Sequence, residues 1–251
     1  MSEAALATSR LNKNFGALRV TQDVAFALPV GARHALIGPN GAGKTTFINL
    51  LTGVLAPNSG SIALDGADIT GLAPEARVKR GLARTYQINT LFPDLTPLEA
   101  VTLVVCERLG ISRRWLVPLA RRGAAVDEAY ELIERLGLAA QAGRPTRSLA
   151  YGHQRVLEIA LAMATRPRVL LLDEPAAGVP AQESGLLYEV ISGLPAEIAI
   201  LFIEHDMDLV FRFASRISVL VGGRLLREGT PEEIAEDPEV RAVYLGTAEH
   251  G

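Results

Sequence analysis

Two stretches carry residue types that together handle phosphate. Gly38-Pro39-Asn40-Gly41-Ala42-Gly43-Lys44-Thr45 fits the pattern of a glycine, four residues, then Gly-Lys-Ser/Thr. Glycines there let the backbone curl around a phosphate chain, so that amide groups and the start of the following helix point at negative charge. Lys44 would reach the β- and γ-phosphates of a nucleotide and Thr45 would hold Mg²⁺, with Thr46 beside it extending the groups that face the ligand. Lys13, Lys44 and Lys79 are the only lysines in a chain with 25 basic residues, so a lysine at this position carries weight. The second stretch, Val169-Leu170-Leu171-Leu172-Asp173-Glu174, ends an apolar run in two carboxylates. A strand running out into solvent would look the same by itself. Beside a phosphate loop, Asp173 suits the metal and Glu174 is placed to polarise a water attacking the γ-phosphate.

Three further features gain meaning only in company. Gln87, in Arg84-Thr85-Tyr86-Gln87, follows a short strand and could reach the metal or the water; alone it is an ordinary polar residue. His205 ends the apolar run Phe202-Ile203 and is placed for a γ-phosphate contact, although taken singly it reads as structural. Leu149-Ala150-Tyr151-Gly152-His153-Gln154-Arg155 sets small and polar residues where a helix is about to begin.

Hydrophobic periodicity supplies the framework around these residues. Ala5 to Leu11 and Val20 to Leu28 read as strands around a turn at Asn14-Phe15-Gly16, and Ala32 to Ile37 runs directly into the glycine-rich loop. Phe47 to Leu51 gives an apolar helical face, and Ser61 to Ile69 is a hairpin broken at Asp65-Gly66. Thr96-Pro97-Leu98-Glu99 is a capping box that opens a helix over about 97–109, and 127–136 forms an amphipathic helix closed by Gly137. Val169 to Leu172 and Ile198 to Ile203 are continuous apolar runs, the pattern of a parallel sheet buried on both faces, with Gln182 to Leu194 as the crossover helix. Arg216 to Val221 and Arg224 to Glu228 pair across Gly222-Gly223, and Thr230-Pro231-Glu232-Glu233 caps a last helix. A helical lobe thus interrupts an α/β core. Arg113, Arg114, Arg121 and Arg122 surround Trp115 in a segment read as a solvated face or helix-loop insertion.

The 251 residues, 49% hydrophobic and 21% charged, suit one large domain or a core with a smaller lobe. A net charge of -3 does not advertise nucleic acid or anionic lipid as the main partner, although a local basic patch stays open, and the single cysteine, Cys106, forms no internal disulfide and reads as a small buried apolar residue. Glu3 and the lack of a long apolar core exclude a signal peptide at the start, and runs such as Ile198 to Ile203 fall short of a bilayer span, so the expectation is a soluble, cytoplasmic protein.

The order of phosphate loop, Gln87, Leu149 stretch, Asp173-Glu174 and His205 resembles the nucleotide-binding subunit of ABC transporters over essentially the whole chain. That resemblance implies a phosphate-loop NTPase core, mainly parallel with an antiparallel N-terminal β subdomain, over residues 1–87 and 164–251, and an inserted α-helical lobe with the signature motif over 88–163. Gln87 then looks like the Q-loop glutamine, His205 like the switch histidine and Phe15 like the aromatic that stacks on adenine. Leu149 to Arg155 falls where the family carries Leu-Ser-Gly-Gly-Gln, and Ala150, Tyr151 and Gly152 would contact ATP held by a second subunit.

The alanine-tyrosine-glycine form, with Asp173 to Gly178, Glu204-His205-Asp206-Met207 and Val243-Tyr244-Leu245-Gly246, is similar to the ATPases of branched-chain amino acid importers. His153, where that branch usually has glutamine, and Pro180, where the following loop usually has aspartate or asparagine, depart from it. The resemblance implies ATP and Mg²⁺ as ligands and a homodimer or a heterodimer with a related ATPase. It also implies two membrane-spanning permease subunits, indirectly a solute-binding protein, no nucleic acid, and a place on the inner face of the cell membrane. Two other readings stay open on the residues alone: a non-transport ATPase of the same kind, and a phosphate-loop kinase or nucleotide switch.

Overall fold

The computed structural model describes residues 4–85, 91–112 and 123–246. Gln87 and the Arg113 to Arg122 segment lie outside these described residues. The chain divides into two compact units, one made of Met1–Leu82, Arg168–Glu174 and Ala196–Gly251, the other of Ala83–Pro167 and Pro175–Pro195.

In the first unit, β1 (Ala4–Phe15) and β2 (Leu18–Pro29) pair antiparallel; β2 alternates, turning Val24, Phe26 and Leu28 inward, and the more irregular β1 buries Leu6 and Leu11. Both strands extend beyond the span their apolar residues suggested. β4 (Ser59–Leu64) and β5 (Ala67–Asp68) form the expected hairpin, giving the sheet order β2-β1-β4-β5. Asp65 and Gly66 close it with φ of 46° and 75°, the left-handed pair that a two-residue turn needs.

A second sheet in this unit carries β3 (Arg33–Ile37), β7 (Val169–Asp173), β8 (Ala199–Ile203), β9 (Arg216–Val221) and β10 (Arg224–Gly229) in the order β10-β9-β3-β8-β7. β3 runs parallel to β8 and β9, and β7 parallel to β8, with β10 antiparallel at the edge. The register sets where these strands end. Leu36 pairs with Ile203, Ile37 with Val219 and Asp173 with Ile203, so β3, β7 and β8 finish level with one another. Whatever the chain places after each strand emerges at one carboxyl edge, where ligands of such sheets bind.

Helix α1 (Lys44–Thr52) begins where the glycine-rich loop ends, and its Phe47, Ile48, Leu50 and Leu51 join Leu6, Phe26, Leu171 and Leu201 in one buried cluster. Phe47 meets Phe26 edge-on at 5.8 Å between centroids. The far end of α1 is closed by a distant residue. Arg77, in α2 (Pro74–Lys79), is 1% exposed and donates to the carbonyls of Leu50 at 2.7 Å, Leu51 at 2.6 Å, Thr70 at 2.8 Å and Leu72 at 3.0 Å. Helices α7 (Met207–Phe213), α8 (Pro231–Glu236) and α9 (Pro238–Gly246) complete the unit, α8 with the capping box that Thr230 and Glu233 predict.

The chain leaves the first unit along β6 (Leu82–Arg84). The second unit is built on α3 (Pro97–Arg108), α4 (Gly123–Arg135), α5 (Tyr151–Ala164) and α6 (Ala181–Ser192). Thr96 and Glu99 form the predicted capping box. Inward faces bury Val101, Val105 and Cys106, Ala129 and Ile133, and Val156, Leu157 and Ile159; Cys106 is a free thiol. Glu128 accepts from Arg108 at 2.6 Å and from Arg166 at 2.9 Å, and Arg108 also donates to the Ala164 carbonyl at 2.9 Å, tying α3, α4 and the end of α5 together. The α6 helix, expected only as a crossover of the core, belongs to this unit and lies beside α5. Among the described residues no helix is long and apolar enough to cross a membrane.

Candidate functional site

At the carboxyl edge of the first unit's parallel strands lies a cleft of about 310 Å³. The loop residues 40–46 form one wall, and Val20, Ile203, Glu174 and His205 complete it. The sheet register thus delivers the loop after β3, the acid after β7 and the histidine after β8 to one place. Sequence reasoning had not singled out Val20. Its only signal is an apolar residue at the less buried end of a strand whose inward positions are otherwise fully covered.

The loop is shaped by what it lacks. Gly43, the cap of α1, has φ of 102°, and a Cβ there would stand 2.6 Å from the Val20 carbonyl oxygen. No side chain caps α1, so its first amides remain for a ligand. Lys44 is buried to 7% exposure, and its ammonium donates to the Gly38 carbonyl at 2.6 Å and to the Pro39 carbonyl at 3.1 Å. Desolvation pushes the Lys44 pKa down, while the charges of Glu174 and then Asp173 pull it back up. The cleft thus holds a buried cation with two carboxylates in its field. Thr45 is exposed and Thr46 half-buried on the same wall.

Glu174 sits in the left-handed region at φ 48°, a conformation that costs a non-glycine residue on the order of 1 kcal/mol, and its N–H donates to the Ile203 carbonyl at 3.0 Å. That backbone turns its carboxylate into the cleft, where Oε1 lies 3.1 Å from Nε2 of His205. Glu204 beside it is buried and accepts from the His205 N–H at 3.2 Å. Phe15 stands at the end of β1, 49% exposed, with the Lys13 ammonium 5.4 Å from its ring centre, and is not part of the cleft lining. Among the described residues no group of three or more His, Cys, Asp or Glu could hold a metal. The oxygen donors of Thr45 and Asp173 suit Mg²⁺, which keeps most of its ligands as water and phosphate and needs few from protein. The open amides, Lys44 and this donor set all fit a magnesium nucleotide.

In the second unit, Ala150 caps α5 without a side-chain hydrogen bond. The Gly152 N–H donates to Oε2 of Glu183 at 2.6 Å, and a Cβ on Gly152 would lie 2.9 Å from the Glu183 Cβ. Tyr151 Oη donates to the Ala177 carbonyl at 3.2 Å, and Arg155 donates to the same oxygen at 3.1 Å and to Glu158 at 3.0 Å. His153 is half-buried on the first turn, and Pro180 is the exposed cap of α6. Glu183 is the second residue that sequence reasoning missed; an acid in a helix's first turn gives no sign of a partner elsewhere.

These two units and the cleft define the class. The ABC transporter family model matches residues 21–177, and a model described as the branched-chain amino acid ATP-binding cassette transporter matches residues 225–250. The chain belongs to the ABC transporter family, as one of its ATP-binding, ATP-hydrolysing subunits.

Within that family its likeness is specific. It is 40% identical to the high-affinity branched-chain amino acid transport ATP-binding protein BraF of Pseudomonas aeruginosa, with 99% of this chain and 100% of the relative covered. It is 41% identical to LivG of Escherichia coli (strain K12), which carries the same description, over the same shares. A crystal structure of MJ1267, an ATP-binding cassette of an ABC transporter in its ADP conformation, superposes with a TM-score of 0.84 at 27% identity, covering 97% of this chain and 99% of that one. A nucleotide-free ATP-binding cassette gives 0.83 at 27% identity, covering 96% and 98%. The expected family and fold class therefore hold.

Proposed function

We propose that this chain is the motor subunit of an importer for branched-chain amino acids or related small solutes, working as a dimer in which each phosphate loop holds ATP and the Leu149 to Arg155 segment of the other subunit covers it. The observation that carries the chemistry is the meeting of Glu174 and His205 at 3.1 Å in a cleft walled by the phosphate loop. In this reading Lys44 leaves the carbonyls of Gly38 and Pro39 to bind the β- and γ-phosphates, while the amides of Asn40 to Thr46 surround the phosphate chain. Thr45 and Asp173, with Gln87, would hold Mg²⁺, which would offset phosphate charge when bound. Glu174 takes the proton of the attacking water, and His205 orients Glu174 and meets the γ-phosphate. Phe15 stacks on the adenine, and Ala150, Tyr151 and Gly152 approach the partner's ATP.

Residues 1–87 and 164–251 act as the ATPase core and 88–163 as the lobe that meets two permease subunits at the inner face of the membrane. The solute passes through the permeases after delivery by a binding protein, so this chain turns ATP over without touching it. The branch is supported by the full-length likeness to BraF and LivG.

Glu174→Gln tests the reading. Steady-state phosphate release should fall to background while ATP binding persists, and ATP should drive the variant into dimers on sedimentation. Turnover at the wild-type rate would remove Glu174 from its role, and a variant that stays monomeric with saturating ATP would favour a monomeric nucleotide switch.

A further inference from the structure

We propose that Glu183 is a further residue of the nucleotide-handling machinery: in the free subunit its carboxylate occupies the Gly152 amide, and it must release that amide before a partner's ATP can engage the start of α5. The inference rests on the reading of Leu149 to Arg155 as the segment presented to a partner's nucleotide.

The start of α5 has no oxygen of its own to cap it, because Ala150 stands at the cap. One of its orphan amides is met instead by a carboxylate 31 residues further along the chain, at 2.6 Å, the short length of a charge-assisted hydrogen bond. The field that favours Glu183 there is the field that favours phosphate: the positive end of the helix and the unpaired N–H groups of its first turn. One N–H cannot serve both anions at full strength. Two negative charges brought to the same amide also repel each other, and more strongly where water is excluded. Glu183 is therefore a resident substitute for phosphate at this helix, and a competitor of it.

The placement is built rather than incidental. Gly152 leaves no room for a side chain against Glu183, and Tyr151 and Arg155 both fasten the Ala177 carbonyl to the same turn of α5. Arg155 is in turn held by the buried Glu158. The segment from Ala177 to Glu183 comes closely after Glu174 in the chain, so releasing the amide undoes one fastening of a segment continuous with the residue that handles the water.

The test titrates ATP into the Glu174→Gln protein and reads, by sedimentation velocity, the nucleotide concentration at which half of the protein is dimeric. Adding Glu183→Gln removes the charge at nearly constant side-chain size, and adding Glu183→Ala leaves the amide open. Each should lower that concentration about three- to tenfold, the alanine variant at least as much as the glutamine one. An unchanged or raised half-point in the glutamine variant overturns the proposal, because Glu183 then only fastens α6 to α5. A Glu174→Gln parent that forms no dimer with ATP overturns the underlying reading instead, and does so before Glu183 is altered.

Discussion

The two units begin a helix in the same chemical situation and resolve it in opposite ways. In the first, α1 starts at Gly43 with no side-chain cap, and the nearby cation is a lysine parked on loop carbonyls. In the second, α5 starts at Ala150, also without a cap, and a carboxylate from α6 takes the Gly152 amide. An open helix start with a displaceable cation can bind an anion unaided. One already holding an anion can accept another only by exchange. That difference matches a division of labour in which the loop binds ATP within one subunit and the α5 segment acts only when a second subunit arrives.

Substitution at the loop should give the largest effect. Lys44→Ala removes the cation proposed to meet the phosphates, and phosphate release should fall by about a hundredfold or more, the scale of losing a charged stabilising group. Nucleotide binding by the monomer should weaken with it, and a variant that hydrolyses ATP normally would break the comparison at its stronger side. The two glycines separate the units next. Gly43→Ala forces a Cβ against the Val20 carbonyl at positive φ, so monomer nucleotide affinity should drop about tenfold or more. Gly152→Ala disturbs the seam with Glu183 and the turn proposed to meet a partner's ATP, and should change ATP-driven dimerisation while fluorescence titration shows the monomer binding nucleotide as before.

Opposite pH dependences offer a subtler contrast. His34, buried in the first unit with Nε2 2.9 Å from the Ser218 hydroxyl, has its pKa lowered from 6.5 to about 4, chiefly by burial, with Glu228 opposing and Arg216 assisting. A depressed histidine adds stability above pH 6.5 that is lost as pH falls through about 4. Glu158, buried in the second unit, is raised from 4.5 to about 7 because burial outweighs its bond to Arg155. Its contribution is full below pH 4.5 and is lost as pH rises through about 7. Hydrogen exchange should therefore show the first unit loosening toward pH 5 and the second toward pH 7.5, each on the order of 1 kcal/mol, with the trends abolished by His34→Phe and Glu158→Gln. Loosening of both units in the same direction would contradict the assignment. The smallest effect belongs to His153→Gln, for which dimer turnover should change about two- to threefold at unaltered monomer affinity.

How much of this was legible depended on the range of the signal. The phosphate loop, Asp173-Glu174 and the capping boxes at Thr96 and Thr230 announce themselves because each is written within a few consecutive residues. The buried strands β7 and β8 are equally plain, since a parallel sheet covered on both faces needs unbroken apolar runs. What escaped was set by distance along the chain. Val20 reaches the cleft because β2 passes behind Gly43, Glu183 reaches Gly152 from another helix, and α6 lies with the second unit because it packs along α5. Nothing in the residues around Arg77 marks it for burial, although it is among the most buried side chains of the first unit.

Arg77 also constrains the order of events as the protein is made. Besides the local Gly53 N–H on Leu50, the last carbonyls of α1 take a donor 26 and 27 residues downstream, on the far side of the β4-β5 hairpin. Until residue 77 has been synthesised and the hairpin has folded back, the helix that carries Lys44 has an unfinished end. A chain emerging from its N-terminus thus presents the phosphate loop before α2 can reach α1, and β3 gains its neighbours β8 and β9 later still. Slowing synthesis just before residue 77 should prolong the interval in which α1 is present without Arg77 on its last carbonyls.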